Sequence, residues 1–301
     1  MMTLRPAELR QFAWITAGAI AVFIGFRALP TGTSLSHMDF RVDARGANSI
    51  EFCDPLNPQF IPVVAVRSPV TMSLALDEPT VVAGRPVRAR IGLRTGSGKP
   101  IRPEDILVTH TRRLHLLLVD PTLADYQHVH PEPSGAPGEW AFAFTPLRAG
   151  TYRIFGDFTP AATGRGLYAS VDLAVGPGTA ALAANGGGDP ALAFALDITP
   201  QPVRVGQPID LRFSVTRHDG GIVALEPVMG AFAHLVAFDV ARSGFAHLHP
   251  AEADVTIPPD PIKPQLNFKL TIPQPGRYVV WAQVNVAGSE RFVPFTIEVG
   301  R

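Results

Sequence analysis

Two segments of this 301-residue chain, which begin 119 residues apart, carry the same pattern of histidines. The first reads LHLLLVDPTLADYQHVHP (Leu114 to Pro131) and the second reads AHLVAFDVARSGFAHLHP (Ala233 to Pro250). An internal repeat constrains the fold strongly, because each copy has to form the same structural unit. The repeated positions are His115, Asp120, His128 and His130 in the first copy and His234, Asp239, His247 and His249 in the second.

The repeat extends well beyond the histidines. The stretch AGTYRIFGDF (Ala149 to Phe158) is echoed by PGRYVVWAQV (Pro275 to Val284). Each unit is about a hundred residues long, the size of one antiparallel sandwich domain. We therefore predict a membrane anchor at residues 1–30, an extended Pro-rich segment at 31–70, a first β-sandwich at 71–176, a flexible linker at 177–190 and a second β-sandwich at 191–301.

The apolar runs predict an all-β protein. They are short, they alternate at period two or are continuously apolar, and 30 prolines and 27 glycines separate them. We predict two tandem immunoglobulin-like antiparallel β-sandwiches after one N-terminal transmembrane or signal-anchor helix. The net charge is zero and no basic stripe is present, so the sequence excludes nucleic acid as a partner.

The N-terminal residues differ in kind from the rest. Fifteen uncharged residues, 12–26, lie between Arg10 and Arg27, which is short for a membrane span but workable if both arginines reach the headgroups. A cleaved secretion signal is the alternative. Small residues at every fourth position favour a retained helix that packs against another helix. These helix-packing residues are Ala13, Ala17, Ala21 and Gly25.

An N-terminal helix of this kind predicts export. We expect a single-pass protein of a bacterial inner membrane, with the bulk of the chain in the periplasm, lipid around its helix and another membrane protein or complex as partner. The lone Cys53 can form no internal disulfide, and we interpret it as a small buried apolar residue.

The histidine spacing predicts a metal site in each repeat. If residues 115–120 and 125–130 form a hairpin, position 115 pairs with 130 and position 117 with 128, so three imidazoles share one face. The same register in the second copy brings together His234, His247 and His249. Three convergent imidazoles suit copper, with zinc as the second choice. Asp120 falls on the opposite face, where a role in the turn or in supporting a ligand is expected.

Structural histidines are the alternative, because a hydrogen-bonded His-x-His pair duplicates as readily as a metal site. His110 of the first copy aligns with Met229 of the second, and both residue types can bind copper. A blue-copper site requires a cysteine ligand, and no cysteine follows position 53. No GxSxG, HExxH or phosphate-binding glycine loop occurs, so we predict no catalytic or organic-cofactor residues and no enzyme activity.

The two histidine segments resemble a family of bacterial exported proteins with repeated HLxxxxD…HxHP units. The Gly-Thr-Tyr and Gly-Arg-Tyr strands further resemble immunoglobulin-like modules of the YtkA and CopC type, some of which handle copper. This resemblance implies a sandwich fold over about residues 71–300 and an association with copper.

Two functions follow from these observations. The first is a membrane-anchored, periplasm-facing protein without enzyme activity that binds copper through its duplicated histidines. The second is an accessory subunit of a respiratory or photosynthetic electron-transfer complex, in which the histidines are structural and the Pro-rich segment lies along a partner.

Overall fold

The computed structural model describes residues 6–28, 58–178, 190–252 and 254–301. Cys53 and all of the predicted linker except positions 177, 178 and 190 lie outside these ranges. Within the described ranges the chain divides into two compact units, one containing the N-terminal helix and the other containing all of the strands.

The first unit contains helix α1, Pro6–Ala28. Proline suits the first turn of a helix, where its missing N–H would have no intrahelical partner. The side chains at residues 10–25 are exposed, including those of the stripe Ala13, Ala17, Ala21 and Gly25. No helix in the described part of the chain has both the length and the apolar character needed to cross a membrane.

The first repeat forms eight strands in two four-stranded antiparallel sheets. One sheet has the order β1-β2-β6-β5 and the other β4-β3-β7-β8. The strands are β1 Val70–Leu76, β2 Val87–Thr95, β3 Leu114–Val119, β4 Tyr126–Val129, β5 Glu132–Pro133, β6 Glu139–Phe144, β7 Gly150–Phe158 and β8 Leu167–Val175.

The second repeat has the same plan. A three-stranded sheet has the order β14-β10-β9, and a five-stranded sheet has the order β11-β15-β12-β13 with β16 paired to β15. The strands are β9 Leu192–Thr199, β10 Pro208–Arg217, β11 Leu225–Glu226, β12 Ala233–Asp239, β13 Phe245–Leu248, β14 Gln265–Thr271, β15 Gly276–Val286 and β16 Ser289–Val299.

Both repeats are immunoglobulin-like sandwiches, and the predicted all-β fold with two tandem domains is confirmed. The strand orders of the first repeat correspond to the A-B-E-D and C′-C-F-G sheets of that fold. A tyrosine near the start of the F strand also bonds back to the preceding loop, as in a tyrosine corner. The Tyr152 hydroxyl accepts a hydrogen bond from the Arg148 N–H at 3.0 Å, and the Tyr278 hydroxyl donates one to the Gln274 carbonyl at 3.0 Å.

Strands β3 and β12 are buried on both faces, which explains why their sequences are almost continuously apolar. Leu114, Leu116 and Leu118 point into the core of the first sandwich, whereas Leu117 and Val119 belong to a separate apolar cluster. That cluster is shared between the two sandwiches, and we call it the interdomain core. Its buried members are Ile61, Val63, Leu117, Val119, Leu123, Tyr126, Phe155, Tyr168, Val236, Phe238, Phe245, Val279 and Trp281.

The end of the Pro-rich segment also joins the two domains. The Ile61 N–H donates to the Phe245 carbonyl at 2.8 Å, and the Phe245 N–H donates to the Ile61 carbonyl at 3.1 Å. Phe60 packs in the core of the second sandwich, and Ile61 packs in the interdomain core. A Cβ added at Gly244 would lie 1.8 Å from the Ile61 carbonyl oxygen, so only glycine permits this approach. Residues 58–66 therefore pack on the second domain of their own chain before the chain enters the first.

We expect Phe238→Ala to lower the free energy of unfolding by about 3–5 kcal/mol, because it leaves a cavity in the interdomain core. Phe238 is fully buried and its ring lies 5.4 Å from that of Tyr126. Urea denaturation measures the change. Ile257→Ala is the control, since Ile257 is 69% exposed and its truncation should cost less than about 0.5 kcal/mol. Equal losses in the two variants would contradict the role of the interdomain core.

Candidate metal centre

The two histidine hairpins form with the expected register. Leu117 pairs with His128 across β3 and β4, and Val236 pairs with His247 across β12 and β13. Directly opposed residues and alternate residues of one strand share a face. The side-chain nitrogens of each triad consequently lie within 4.8 Å of one another. The first triad is His115, His128 and His130, and the second triad is His234, His247 and His249.

The two triads also lie against each other across the interdomain contact. Within the first triad the ring centroids of His115 and His128 are 5.3 Å apart. Between the triads His128 lies 5.2 Å from His247, and His115 lies 5.7 Å from His247. The shortest separation between the triads therefore falls within the range of 4.7 to 5.5 Å found inside them. The six imidazoles form a single cluster, which we call the histidine centre.

A backbone carbonyl fixes the first histidine of each triad. Nε2 of His115 donates to the Thr109 carbonyl at 3.1 Å, and Nε2 of His234 donates to the Val228 carbonyl at 3.0 Å. Both carbonyls belong to two-residue turns with positive φ at the two central positions, the geometry of a type I′ turn. A neutral imidazole with a proton on Nε2 has its lone pair on Nδ1. In each triad Nδ1 of this histidine is thus left as an acceptor.

The middle histidine of each triad is oriented by the other domain. Nδ1 of His128 lies 2.9 Å from Oε1 of Gln283, and Nδ1 of His247 lies 3.1 Å from Oδ2 of Asp157. Asp157 and Gln283 occupy equivalent positions on β7 and β15, so the two domains exchange these bonds reciprocally. The Gln283 amide nitrogen lies 3.4 Å from Oε2 of Glu290, which assigns its oxygen to His128. Both middle histidines carry their proton on Nδ1 and present Nε2 as an acceptor.

These tautomers leave acceptor nitrogens facing one another. Nδ1 of His115 lies 3.2 Å from Nε2 of His128, yet neither nitrogen has a proton to share once the outer bonds are made. Lone pairs at this separation repel unless a cation lies between them. Within the described residues, the buried imidazole nitrogens without a hydrogen-bond partner are Nε2 of His130, Nδ1 of His234, Nε2 of His247 and Nε2 of His249.

Burial keeps these imidazoles neutral. It lowers the pKa of His130 to about 3 and that of His234 to about 4. Burial, followed by the neighbouring histidines, also lowers the pKa of His128, His247 and His249 well below the ordinary value. A proton is therefore an unfavourable cation for this centre at neutral pH. Neutral imidazole is the form that binds a metal ion.

A seventh histidine lies at the edge of the centre. His110 occupies the first central position of its turn, with φ of 49°, and Met229 occupies the matching position with φ of 52°. The His110 ring stacks on His249 of the other domain, with centroids 3.6 Å apart and planes 14° apart. His110 is exposed, so it connects the buried triad with the surface.

The aspartates of the repeat stabilise turns. Oδ1 of Asp120 accepts the N–H groups of Ala124 and Asp125 at 2.8 Å each, and Oδ1 of Asp239 accepts the Ser243 N–H at 2.7 Å. The sequence pattern had left a turn role or a ligand-supporting role open for Asp120. The contacts are those of the turn role.

Sequence reasoning missed the residues that orient the triads. His115 and His234 are held by the backbone carbonyls of Thr109 and Val228, and every residue has such a carbonyl, so residue type could not reveal these two partners. Asp157 and Gln283 did carry a signal, because both are polar residues at the same place in the repeated strands. Their partners could not be assigned without knowing that the two domains pack face to face.

The fold and the site define a class of protein with two tandem immunoglobulin-like sandwiches and one histidine triad in each. A family model described as "Domain of unknown function (DUF8832)" matches the chain twice, at residues 66–175 and 191–301. The chain belongs to this family, as two copies of its domain. No curated protein matches the chain.

Similar solved structures include FdeC, an Escherichia coli adhesin (14% identity, TM-score 0.23, covering 76% of this chain and 64% of that one). A DUF4785 family protein from Legionella pneumophila is 11% identical at a TM-score of 0.25, covering 77% of this chain and 55% of that one. The fibronectin(III)-like modules of Clostridium thermocellum CbhA are 9% identical at a TM-score of 0.20, covering 75% of this chain and 93% of that one. The chain therefore spans less than two thirds of FdeC and of the Legionella protein. At TM-scores this low, the likenesses say nothing about its function.

We expect the stability of the metal-free protein to fall as the pH is lowered from 7 towards 4. Between the folded pKa of His234, about 4, and the ordinary value of 6.5, the unfolded chain binds a proton that the folded chain does not. Below pH 6.5 each such histidine lowers the free energy of unfolding by up to about 1.4 kcal/mol for each unit by which the pH falls. Above pH 6.5 it adds nothing to the pH dependence. Urea denaturation of chelator-treated protein at pH 7.5, 6.5 and 5.5 measures the slope.

The matched variants are His234→Asn, which should reduce this slope, and His218→Asn, which should not. His218 is exposed and lies outside the histidine centre. The same slope in all three proteins would contradict neutral burial of the triads.

Proposed function

We propose that this protein is a metal-binding protein without enzyme activity, which holds copper, or zinc as the second choice, in its histidine centre. The observation that carries the proposal is the pair of acceptor nitrogens on His115 and His128, which face each other at 3.2 Å. Hydrogen bonds on the far side of both rings fix this arrangement. A metal cation between the two nitrogens converts a repulsive contact into two ligand bonds.

The distances support this assignment. With metal–nitrogen bonds of about 2.0–2.1 Å, two ligands 3.2 Å apart subtend an angle of about 100° at the metal, close to the tetrahedral value. The nitrogens of each triad span up to 4.8 Å, so the third ring has to move by about an ångström to complete the site. Coordination also removes the cost of the buried nitrogens without partners, which is about 1–3 kcal/mol for each such group.

The donor set favours copper among the transition metals. Every candidate ligand is an imidazole nitrogen, a type that suits copper and zinc, and Cu(II) binds nitrogen sites more strongly than Zn(II) does. The ligands are supported from behind by a carbonyl, an amide or a carboxylate, as is usual for metal-bound histidines. Export to the periplasm, anchoring by residues 1–30 and packing through Ala17 and its neighbours stay predictions of the sequence.

The alternative, an accessory subunit with structural histidines, requires that the imidazoles satisfy one another. In the described part of the chain they do not, since Nε2 of both His130 and His249 is buried without a partner. This observation favours metal binding over a purely structural role for the histidines. Membership of an electron-transfer complex stays a prediction.

We expect the full chain, kept in mild detergent, to bind two copper ions after dialysis against micromolar copper. The double variant His128→Ala with His130→Ala removes two ligands of one triad and should reduce the content to one ion. Plasma mass spectrometry on the dialysed protein measures the ratio.

His218→Ala is the control and should leave the content at two, because this residue lies outside the centre. Absence of copper from the unmodified chain, and absence of zinc after the same dialysis against zinc, would overturn the proposed function. A complex recovered with the native protein in the same detergent would support the predicted partner.

A further inference from the structure

Resting on the proposed function, we propose that the two triads form one dinuclear centre with unequal positions, in which the second triad holds its ion more tightly than the first. The triads come from equivalent strands, although the second triad has no counterpart of the 3.2 Å contact between Nδ1 of His115 and Nε2 of His128. Their immediate neighbours also differ, both in the group that supports the middle histidine and in the number of imidazoles. Two of these differences favour the second triad.

The first difference is the group behind the middle histidine. His247 of the second triad donates to the carboxylate of Asp157, whereas His128 of the first donates to the neutral amide of Gln283. A carboxylate that accepts a hydrogen bond from a metal-bound imidazole raises the basicity of the ligand. Asp157 is also paired with His115 across β7 and β3, so its direct hydrogen bond to His247, rather than its charge alone, distinguishes the second triad. Asp157 is also largely buried, with 20% of its side chain exposed, so its charge is weakly screened. An amide supplies orientation without this charge.

The second difference is the extra imidazole. His110 belongs to the first domain, but it stacks on His249 of the second triad at 3.6 Å. Its ring lies 6.3 Å from His234 and 6.4 Å from both His247 and His115, so the stacking on His249 is the contact that is specific to the second triad. Met229, at the equivalent turn position, provides a thioether in place of an imidazole. A ring rotation of His110 would add a fourth nitrogen ligand to the second position.

Two metal cations in one buried centre repel each other. The ion at the second position therefore binds first, and the ion at the first position is the one that exchanges.

Single-site variants measure the two affinities separately. His128→Ala disables the first triad and His247→Ala disables the second. Titration of each full-length variant with Cu(II), in competition with a chelator of known affinity, gives one dissociation constant per variant. We expect the second triad, in His128→Ala, to bind Cu(II) at least 10-fold more tightly than the first triad in His247→Ala. Equal affinities, or a tighter first triad, would overturn the proposal.

Exchanging the supporting groups tests the cause. In the His128→Ala background, Asp157→Asn keeps the shape of the side chain and should weaken Cu(II) binding by about 10–100-fold. In the His247→Ala background, Gln283→Glu combined with Glu290→Gln moves a carboxylate behind His128 and should strengthen binding. Unchanged affinity in both exchanges, with thermal unfolding confirming that the variants are folded, would contradict the role of Asp157.

His110→Ala and Met229→Ala form a matched pair, because the two residues occupy equivalent turns. In the His128→Ala background only His110→Ala should weaken Cu(II) binding. Equal effects of the two changes would contradict a role for His110 as a fourth ligand.

Failure of this proposal can be distinguished from failure of the proposed function. Unmodified protein that binds no copper overturns both, whereas protein that binds two ions with equal affinity overturns only the inequality.

Discussion

The packing of two sheets, one from each sandwich, is the contact on which the rest of the structure depends. Strands β3 and β12 bury one face in their own domain and the other in the interdomain core. The same contact brings Gln283 to His128 and Asp157 to His247, and His115, His128 and His234 are buried in the folded chain. Were the sheets apart, each hairpin would present its imidazoles to solvent, where they could adopt either tautomer. The domain contact therefore creates both the burial and the orientation of the ligands.

Local rules were sufficient to predict each triad from the sequence. Alternation along a strand and opposition across a short hairpin are short-range properties, so the pairing of Leu117 with His128 follows from the spacing of the histidines alone. The repeat likewise predicted two sandwiches, because a unit of that length with turn residues between short apolar strands matches one such domain. Tyr152 and Tyr278, already visible in the repeated strands, became corner residues in both copies.

The long-range contacts between the two domains could not be predicted from the sequence. The run LHLLLV shows that β3 is buried on both faces, but it does not say what covers the second face. Trp281 illustrates the difficulty, since its indole N–H donates to the carbonyl of Leu123 in the other domain, 158 positions away. Nothing in the local pattern of either residue specifies that partner. The position of residues 58–66 on the second domain was hidden for the same reason, and the sequence pointed instead to a separate partner for this segment.

Duplication within one chain gives this centre a property that two identical subunits could not have. A symmetric dimer of one domain would place the same residue behind both middle histidines, and the two positions would be equivalent. In a tandem chain each copy changes independently, so Asp157 can differ from Gln283 and His110 from Met229 while the sheet packing is retained. Neutral imidazoles allow the ligands themselves to be buried at modest cost, and one carboxylate supplies charge where it is needed. A second carboxylate in place of Gln283 would lie beside Glu290, where like charges would oppose it. The interface therefore accommodates a carboxylate next to His247 but not next to His128, and this difference makes the two halves of the centre unequal.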